Sequence, residues 1–140
     1  MERILIPVDG SKNAERAVAY VIDMIRKGRA VEVHLATVRP PLRENVARFI
    51  ARSEIESYHQ EEGEKALASA KRLLDEAGIP YTTHIGVGVV PETIVAFADD
   101  IGADEIVMGT RGLGGLAGLL LGSVATEVIR QAKVPVTLVK

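Results

Sequence analysis

Ile106 Val107 Met108 Gly109 Thr110 Arg111 Gly112 Leu113 Gly114 Gly115 Leu116 Ala117 Gly118 Leu119 Leu120 Leu121 Gly122 Ser123 is the stretch on which the reading of this chain turns. It begins in a β-branched apolar run, holds six of the chain's 13 glycines, and leads into an amphipathic segment that starts at Val124. That order is strand, glycine loop, helix start. A loop of this composition lets backbone N–H groups approach an anion without Cβ atoms in the way, and the helix N-terminus behind it adds unpaired donors and a positive dipole end. Taken alone, the stretch is either a phosphate cradle or a surface loop whose leucines pack on the core. The rest of the chain decides between the two.

On both sides of the loop, strand and helix patterns alternate. Arg3 to Val8 is a short, nearly continuous apolar run, which suits a parallel strand buried on both faces, and it ends at Asp9 Gly10 Ser11. Ser11 is a good N-cap for the helix that follows, whose Ala14, Ala17, Val18, Val21, Ile22 and Ile25 recur at three- and four-residue spacing until Gly28. Val31 to Val38 is a second strand, with Val31, Val33, Leu35 and Thr37 on one face and His34, Ala36 and Val38 on the other. Arg39 Pro40 Pro41 ends it. Glu44 to Ala77 is helical in pattern but uneven. From Glu64 onward Ala66, Leu67, Ala70, Leu73, Leu74 and Ala77 form one face, whereas Val46 to Tyr58 scatters its apolar residues among charges and reads as a looser excursion. Tyr81 to Val87, with polar Thr82, Thr83 and His84, suits a strand at a sheet edge. Pro91 to Ile101 is a third helix, with Pro91 in its first turn and Ile94, Val95, Ala98 and Ile101 facing inward. Glu105 to Met108, Ser123 to Ala132 and Val134 to Val139 complete the series as strand, helix and strand.

This alternation predicts an α/β fold, an open doubly wound five-stranded parallel sheet in the order 3-2-1-4-5 with helices on both faces. Residues 1–140 are expected to form a single domain, since one core can form at this length. In that strand order the chain reverses between strands one and four, and a ligand crevice opens beyond their carboxyl ends. Asp9 and Gly10 follow strand one, and Gly109 to Gly112 follow strand four. The glycine loop therefore meets the only carboxylate that directly follows a buried strand.

Composition narrows the function classes. Net charge is −2 with both signs interspersed, so neither a nucleic-acid groove nor a polybasic membrane patch is indicated. With no cysteine, disulfides and thiolate metal sites are excluded. The longest uncharged stretch, Gly112 to Thr126, is 15 residues with internal glycines, short of the roughly 18 apolar residues of a spanning helix. The expected location is the cytoplasm. His34, His59 and His84 fall on different elements without metal spacing, so each is expected to be structural or on the surface.

The loop spacing G-x2-G-x9-G-S, set by Gly109, Gly112, Gly122 and Ser123, together with Pro7 Val8 Asp9 Gly10 Ser11 and Val134 Pro135 Val136, resembles the nucleotide-binding branch of the universal stress protein family. The resemblance runs over essentially the whole chain. It implies that ATP binds with Mg²⁺ or Mn²⁺ held through its phosphates, that Asp9 hydrogen-bonds the ribose, and that Pro7 and Val38 frame the adenine beside Met108. It implies that Gly109 and Gly112 let the loop close on ribose and phosphates, and that Gly122, Ser123 and Val124 give backbone N–H groups and the Ser123 hydroxyl to the phosphates. Arg111, the only cation in the loop, would meet phosphate or face solvent. The chain departs from the family at Gly88 Val89 Val90 Pro91, where members often carry G-x-P, and this affects only the start of the third helix.

Read from the residues, Ser123 is also expected to be an N-cap, and the glycines to adopt conformations closed to other residues. The expected function is an ATP-binding stress-response or signalling module that acts as a nucleotide-dependent regulator. Two alternatives compete with it. Dedicated phosphotransfer is not indicated, because the lysine of G-x-x-x-x-G-K-[ST] is missing before Ser123, which leaves at most slow ATP hydrolysis. A ligand-free interaction protein of the same fold would lack the glycine motif that this chain keeps. A homodimer through strand five is expected, since Val134, Val136 and Leu138 make an apolar edge. Arg39 to about Tyr58, beside the expected adenine site, is expected to be weakly ordered and able to act as a lid.

Overall fold

The computed structural model describes residues 1–110 and 122–140. In chain order the elements are β1 (Glu2–Pro7), α1 (Lys12–Arg26), β2 (Val31–Arg39), α2 (Glu44–Ala47), α3 (Arg52–Glu76), β3 (Tyr81–Val87), α4 (Val90–Ile101), β4 (Glu105–Gly109), α5 (Ser123–Gln131) and β5 (Val136–Val139). The strands form one sheet in the order β3-β2-β1-β4-β5, with every neighbouring pair parallel. This is the predicted order.

The central position of β1 explains its composition. Ile4, Leu5 and Ile6 are fully buried, and alternate residues serve opposite faces of the sheet. Ile4 and Ile6 join Val33, Leu35 and Val107 under α1 and α3, where Ala17, Val18, Val21, Leu67, Ala70 and Leu74 pack. Leu5 joins Ala36, Ile106 and Met108 under α4 and α5, where Ile94, Ala98, Ala125 and Val128 pack. The sheet thus has a core on each face. Close packing also fixes a glycine: a Cβ on Gly63 of α3 would stand 2.7 Å from an Ile85 methyl of β3.

Several boundaries differ from the sequence pattern for physical reasons. The Glu44–Ala77 region is two helices, because Ala51 has φ −61° and ψ 142° and breaks the run before Arg52. No residue of α2 is buried, and the first buried residue of α3 is His59, so Val46 to Tyr58 lies away from the core as its pattern suggests. β5 begins at Val136 rather than Val134. Pro135 has no N–H to give to a ladder, and only its carbonyl is used, accepting from Ile106 N–H at 3.0 Å. The G-V-V-P departure is harmless, since Val90 opens α4 and Pro91 sits in its first turn, where no N–H is required.

Candidate functional site

A cleft of about 380 Å³ opens at the carboxyl ends of β1 and β4, the point where the strand order reverses. Its size falls within the usual range of small-molecule sites. Of the residues singled out in the sequence, Pro7, Asp9, Val38, Met108, Gly109, Gly122, Ser123 and Val124 all line it. Arg111 and Gly112 lie outside the described residues. Val38, Ile94 and Met108 belong to the core cluster under α4 and α5, so one side of the cleft is an apolar surface continuous with that core.

The polar side is built from helix starts. At β1, Val8 N–H donates to Ala36 O at 2.8 Å, after which the chain leaves the sheet. Asp9 Oδ1 accepts from Ser11 N–H at 2.9 Å, and Gly10 supplies the positive φ of 86° that the tight turn requires. Ser11 Oγ then accepts from Ala14 N–H at 3.3 Å as the N-cap of α1. Asp9 is exposed at the rim, and it is the one ionisable group among the described lining residues.

At α5 the expected cap is corrected. The N-cap is Gly122, and Ser123 is already the first helical residue. The reason lies in the backbone: Gly122 is extended, with φ −61° and ψ 153°, and its carbonyl accepts the first helical bond from Thr126 N–H at 3.0 Å. Thr126 Oγ1 donates to the same carbonyl at 3.1 Å. Gly122 has no side chain to cap with, so the N–H groups of Ser123, Val124 and Ala125 keep no intrahelical acceptor. They converge on the cleft with the positive end of the helix dipole behind them.

The expectation that the glycines need unusual torsions fails at Gly122, whose φ and ψ any residue can adopt. Gly109 is demanded instead by contact. A Cβ there would lie 2.3 Å from Asn13 O and 2.6 Å from Asn13 C, so only glycine lets the end of β4 pass the first turn of α1.

Sequence reasoning left out several lining residues: Asn13 and Ala14 on α1, Ala36 on β2, Val90 and Ile94 on α4, Thr110 after β4, and Ala125 on α5. A general signal was available for the helical ones. In a parallel sheet every helix that follows a strand starts at the same end, so the first turns of α1, α4 and α5 all reach the crevice.

Two of the three histidines, though on different elements, meet in the structure: His34 Nδ1 lies 3.0 Å from His84 Nε2, and His34 Nε2 lies 2.7 Å from Glu32 Oε2. Parallel register brings them together, with His34 opposite Thr82 and His84 opposite Ala36. Burial, and next the neighbouring His34, holds the His84 imidazole below its ordinary value of 6.5. His59 is buried on α3, and its Nδ1 has no partner among the described residues. Among the described residues no three His, Asp or Glu side chains cluster as metal ligands, and no helix is long and apolar enough to cross a membrane.

Comparison with known proteins gives the site a context. The universal stress protein family model matches residues 1–140. The universal stress protein MJ0531 of Methanocaldococcus jannaschii is 37% identical over 99% of this chain and 82% of its own length. The solved structure of MJ0577 from the same organism superimposes with a TM-score of 0.79 at 35% identity, covering 99% of this chain and 95% of that one. A universal stress protein of Archaeoglobus fulgidus, solved in complex with dAMP, gives a TM-score of 0.73 at 28% identity, covering 100% of this chain and 98% of that one.

Proposed function

This chain belongs to the universal stress protein family, and from that premise we propose that it is an adenine-nucleotide-binding module, with ATP as its ligand, that works as a nucleotide-dependent regulator in stress response or signalling. One observation carries the reading: the start of α5 presents three N–H groups without intrahelical acceptors to a cleft whose other side is apolar. An adenine nucleotide has both halves of the complementary chemistry. Its base suits the surface formed by Pro7, Val38 and Met108, and its phosphates accept from Ser123, Val124 and Ala125. Asp9, with one oxygen engaged by Ser11 N–H, has a second oxygen to accept from a ribose hydroxyl. The dAMP complex of the Archaeoglobus fulgidus relative supports the ligand class.

Mg²⁺ fits this scheme as an ion carried by the phosphates, since Asp9 is the only carboxylate among the described lining residues. It would offset phosphate charge where the described cleft has no cation. The chain is further proposed to act in the cytoplasm as a homodimer through β5, an edge strand by its place in the sheet. Sedimentation at micromolar concentration with and without nucleotide tests the dimer.

Mass spectrometry of small molecules released on denaturing the purified protein tests the ligand, with thermal melting in Mg-ATP alongside. At 100 times its dissociation constant a ligand adds about 2.7 kcal/mol, which raises the melting temperature by several degrees in a domain of this size. No shift at millimolar Mg-ATP would sink the proposal in favour of a ligand-free interaction protein.

A further inference from the structure

Asn13 stands in the first turn of α1, half-buried, and lines the cleft. Its neighbour across the floor is Gly109, where a Cβ would lie 2.3 Å from the Asn13 carbonyl oxygen and 2.9 Å from Asn13 Cβ. The bare glycine is what lets α1 bring Asn13 this far in. The carboxamide is oriented by Arg16, whose guanidinium donates to Asn13 Oδ1. A guanidinium has donors only, so the carbonyl side of the planar amide must face it. The amide nitrogen is left to donate, and among the described residues no acceptor takes it.

From this placement we propose that Asn13 is a specificity-determining residue of the cleft, donating from Nδ2 to the phosphate part of the bound nucleotide, with Arg16 as its positioning residue. The proposal rests on the nucleotide reading above. Phosphate is favoured over base because Asn13 sits with Gly109 on the α1 side, away from the apolar surface of Val38, Ile94 and Met108 that belongs to the opposite core. Phosphate oxygens only accept, and the Asn13 group held by Arg16 only donates. A neutral amide also avoids the cost of desolvating a charged side chain in the cleft.

Calorimetry with adenosine, AMP and Mg-ATP on the wild type and on Asn13→Ala, Asn13→Asp, Arg16→Ala and Arg16→Lys tests this, with thermal melts of each protein. Asn13→Asp keeps the shape, keeps a partner for Arg16 and puts a carboxylate in the first turn of a helix, where it is favoured, so the fold is retained. Asn13→Ala is expected to weaken Mg-ATP about fivefold, AMP less and adenosine not at all, with Asn13→Asp weakening Mg-ATP further, as loss of one hydrogen bond to a charged acceptor requires. Arg16→Ala should show the same grading at about two- to threefold, a fraction of the bond it orients, and Arg16→Lys should restore part of it. Asn13→Ala binding Mg-ATP as the wild type does, even if Asn13→Asp does not, would overturn the contact and leave only a long-range charge effect. An equal loss for adenosine and Mg-ATP would also overturn it, because that is the mark of a merely structural role. A wild type that binds none of the three would overturn the nucleotide reading itself and this proposal with it.

Discussion

The turn from β1 into α1 and the turn from β4 into α5 lie at the same end of the sheet on neighbouring strands, yet they treat their helix starts differently. The first is short, and its own side chains occupy its backbone: Asp9 takes the N–H of Ser11, and Ser11 Oγ takes the N–H of Ala14. The second ends on Gly122, which has no side chain, and the nearby Thr126 hydroxyl donates to the Gly122 carbonyl instead of accepting from an N–H. Serine, aspartate and glycine thus divide the two turns into one whose side chains take two of its N–H groups and one whose first N–H groups meet no side-chain cap among the described residues. An uncapped helix start that opens on a cleft is a place where an anion is favoured, by free N–H groups and the positive dipole end together.

The strongest perturbation would separate the two turns. Gly109→Val places a Cβ against the Asn13 backbone, which cannot rotate away as a side-chain tip would, so urea denaturation should show a loss of about 3 kcal/mol. A loss below about 1 kcal/mol, the ordinary cost of a tolerated substitution, would mean the turns are not locked together.

Gly122→Asp should erase the difference between them. An aspartate at the N-cap accepts from the N–H of the second or third helical residue, so the melting temperature should hold or rise, by the few tenths of a kcal/mol that separate glycine from a good cap. Mg-ATP binding should fall about tenfold or more, since a donor is consumed and a negative charge is added. Gly122→Ser, without the charge, should show the same opposition more weakly. Unchanged affinity in both variants by calorimetry would place the phosphates elsewhere.

Ser11→Ala sharpens the comparison from the other side. Loss of the α1 cap should lower stability by about 1 kcal/mol while affinity changes far less than in Gly122→Asp. If Mg-ATP binding dropped as steeply as in Gly122→Asp, the α1 turn would count for as much in binding as the α5 turn.

Acid provides the mildest perturbation and leaves both turns alone. The folded His84 binds a proton less readily than the unfolded chain, because of its burial and then His34, so the unfolded state carries more protons below the ordinary value of 6.5. Stability from this group is therefore fully present above 6.5 and declines as pH falls through the lower folded value. Denaturation at neutral and mildly acidic pH should show this slope in the wild type and a flatter one in His84→Gln. Equal slopes would assign the acid sensitivity to other groups.

Much of the fold was legible because single elements carry it. The Arg3–Val8 run, the three- and four-residue spacing from Ala14 to Ile25, and the Pro91 and Ser11 signals each have one physical meaning, and the strand order follows from their alternation. The cleft was legible for the same reason, since the order fixes where β1 and β4 end. What escaped depends on pairs of elements. Nothing in the residue types near 109 reveals that α1 presses on it, and the His34–His84 bond exists only in the register of β2 and β3. Serine is so favoured as an N-cap that residue type alone predicts the role for Ser123, whereas the extended backbone of Gly122 starts the helix one residue earlier.

The junction of β1 with β4 also has a consequence for how the protein is made. Arg3 and Asp104 exchange backbone and side-chain hydrogen bonds at 2.8 Å across a separation of 101 residues, and Ile4 and Leu5 pair with Glu105 and Ile106. A chain emerging from the ribosome can pair β1, β2 and β3 early, but the edge of β1 that receives β4 stays bare until 101 further residues have followed it. The cleft takes Pro7 from one side of that separation and Ser123 to Ala125 from the other. The cleft is therefore assembled only after β4 and α5 have followed β1 out of the ribosome and docked beside it.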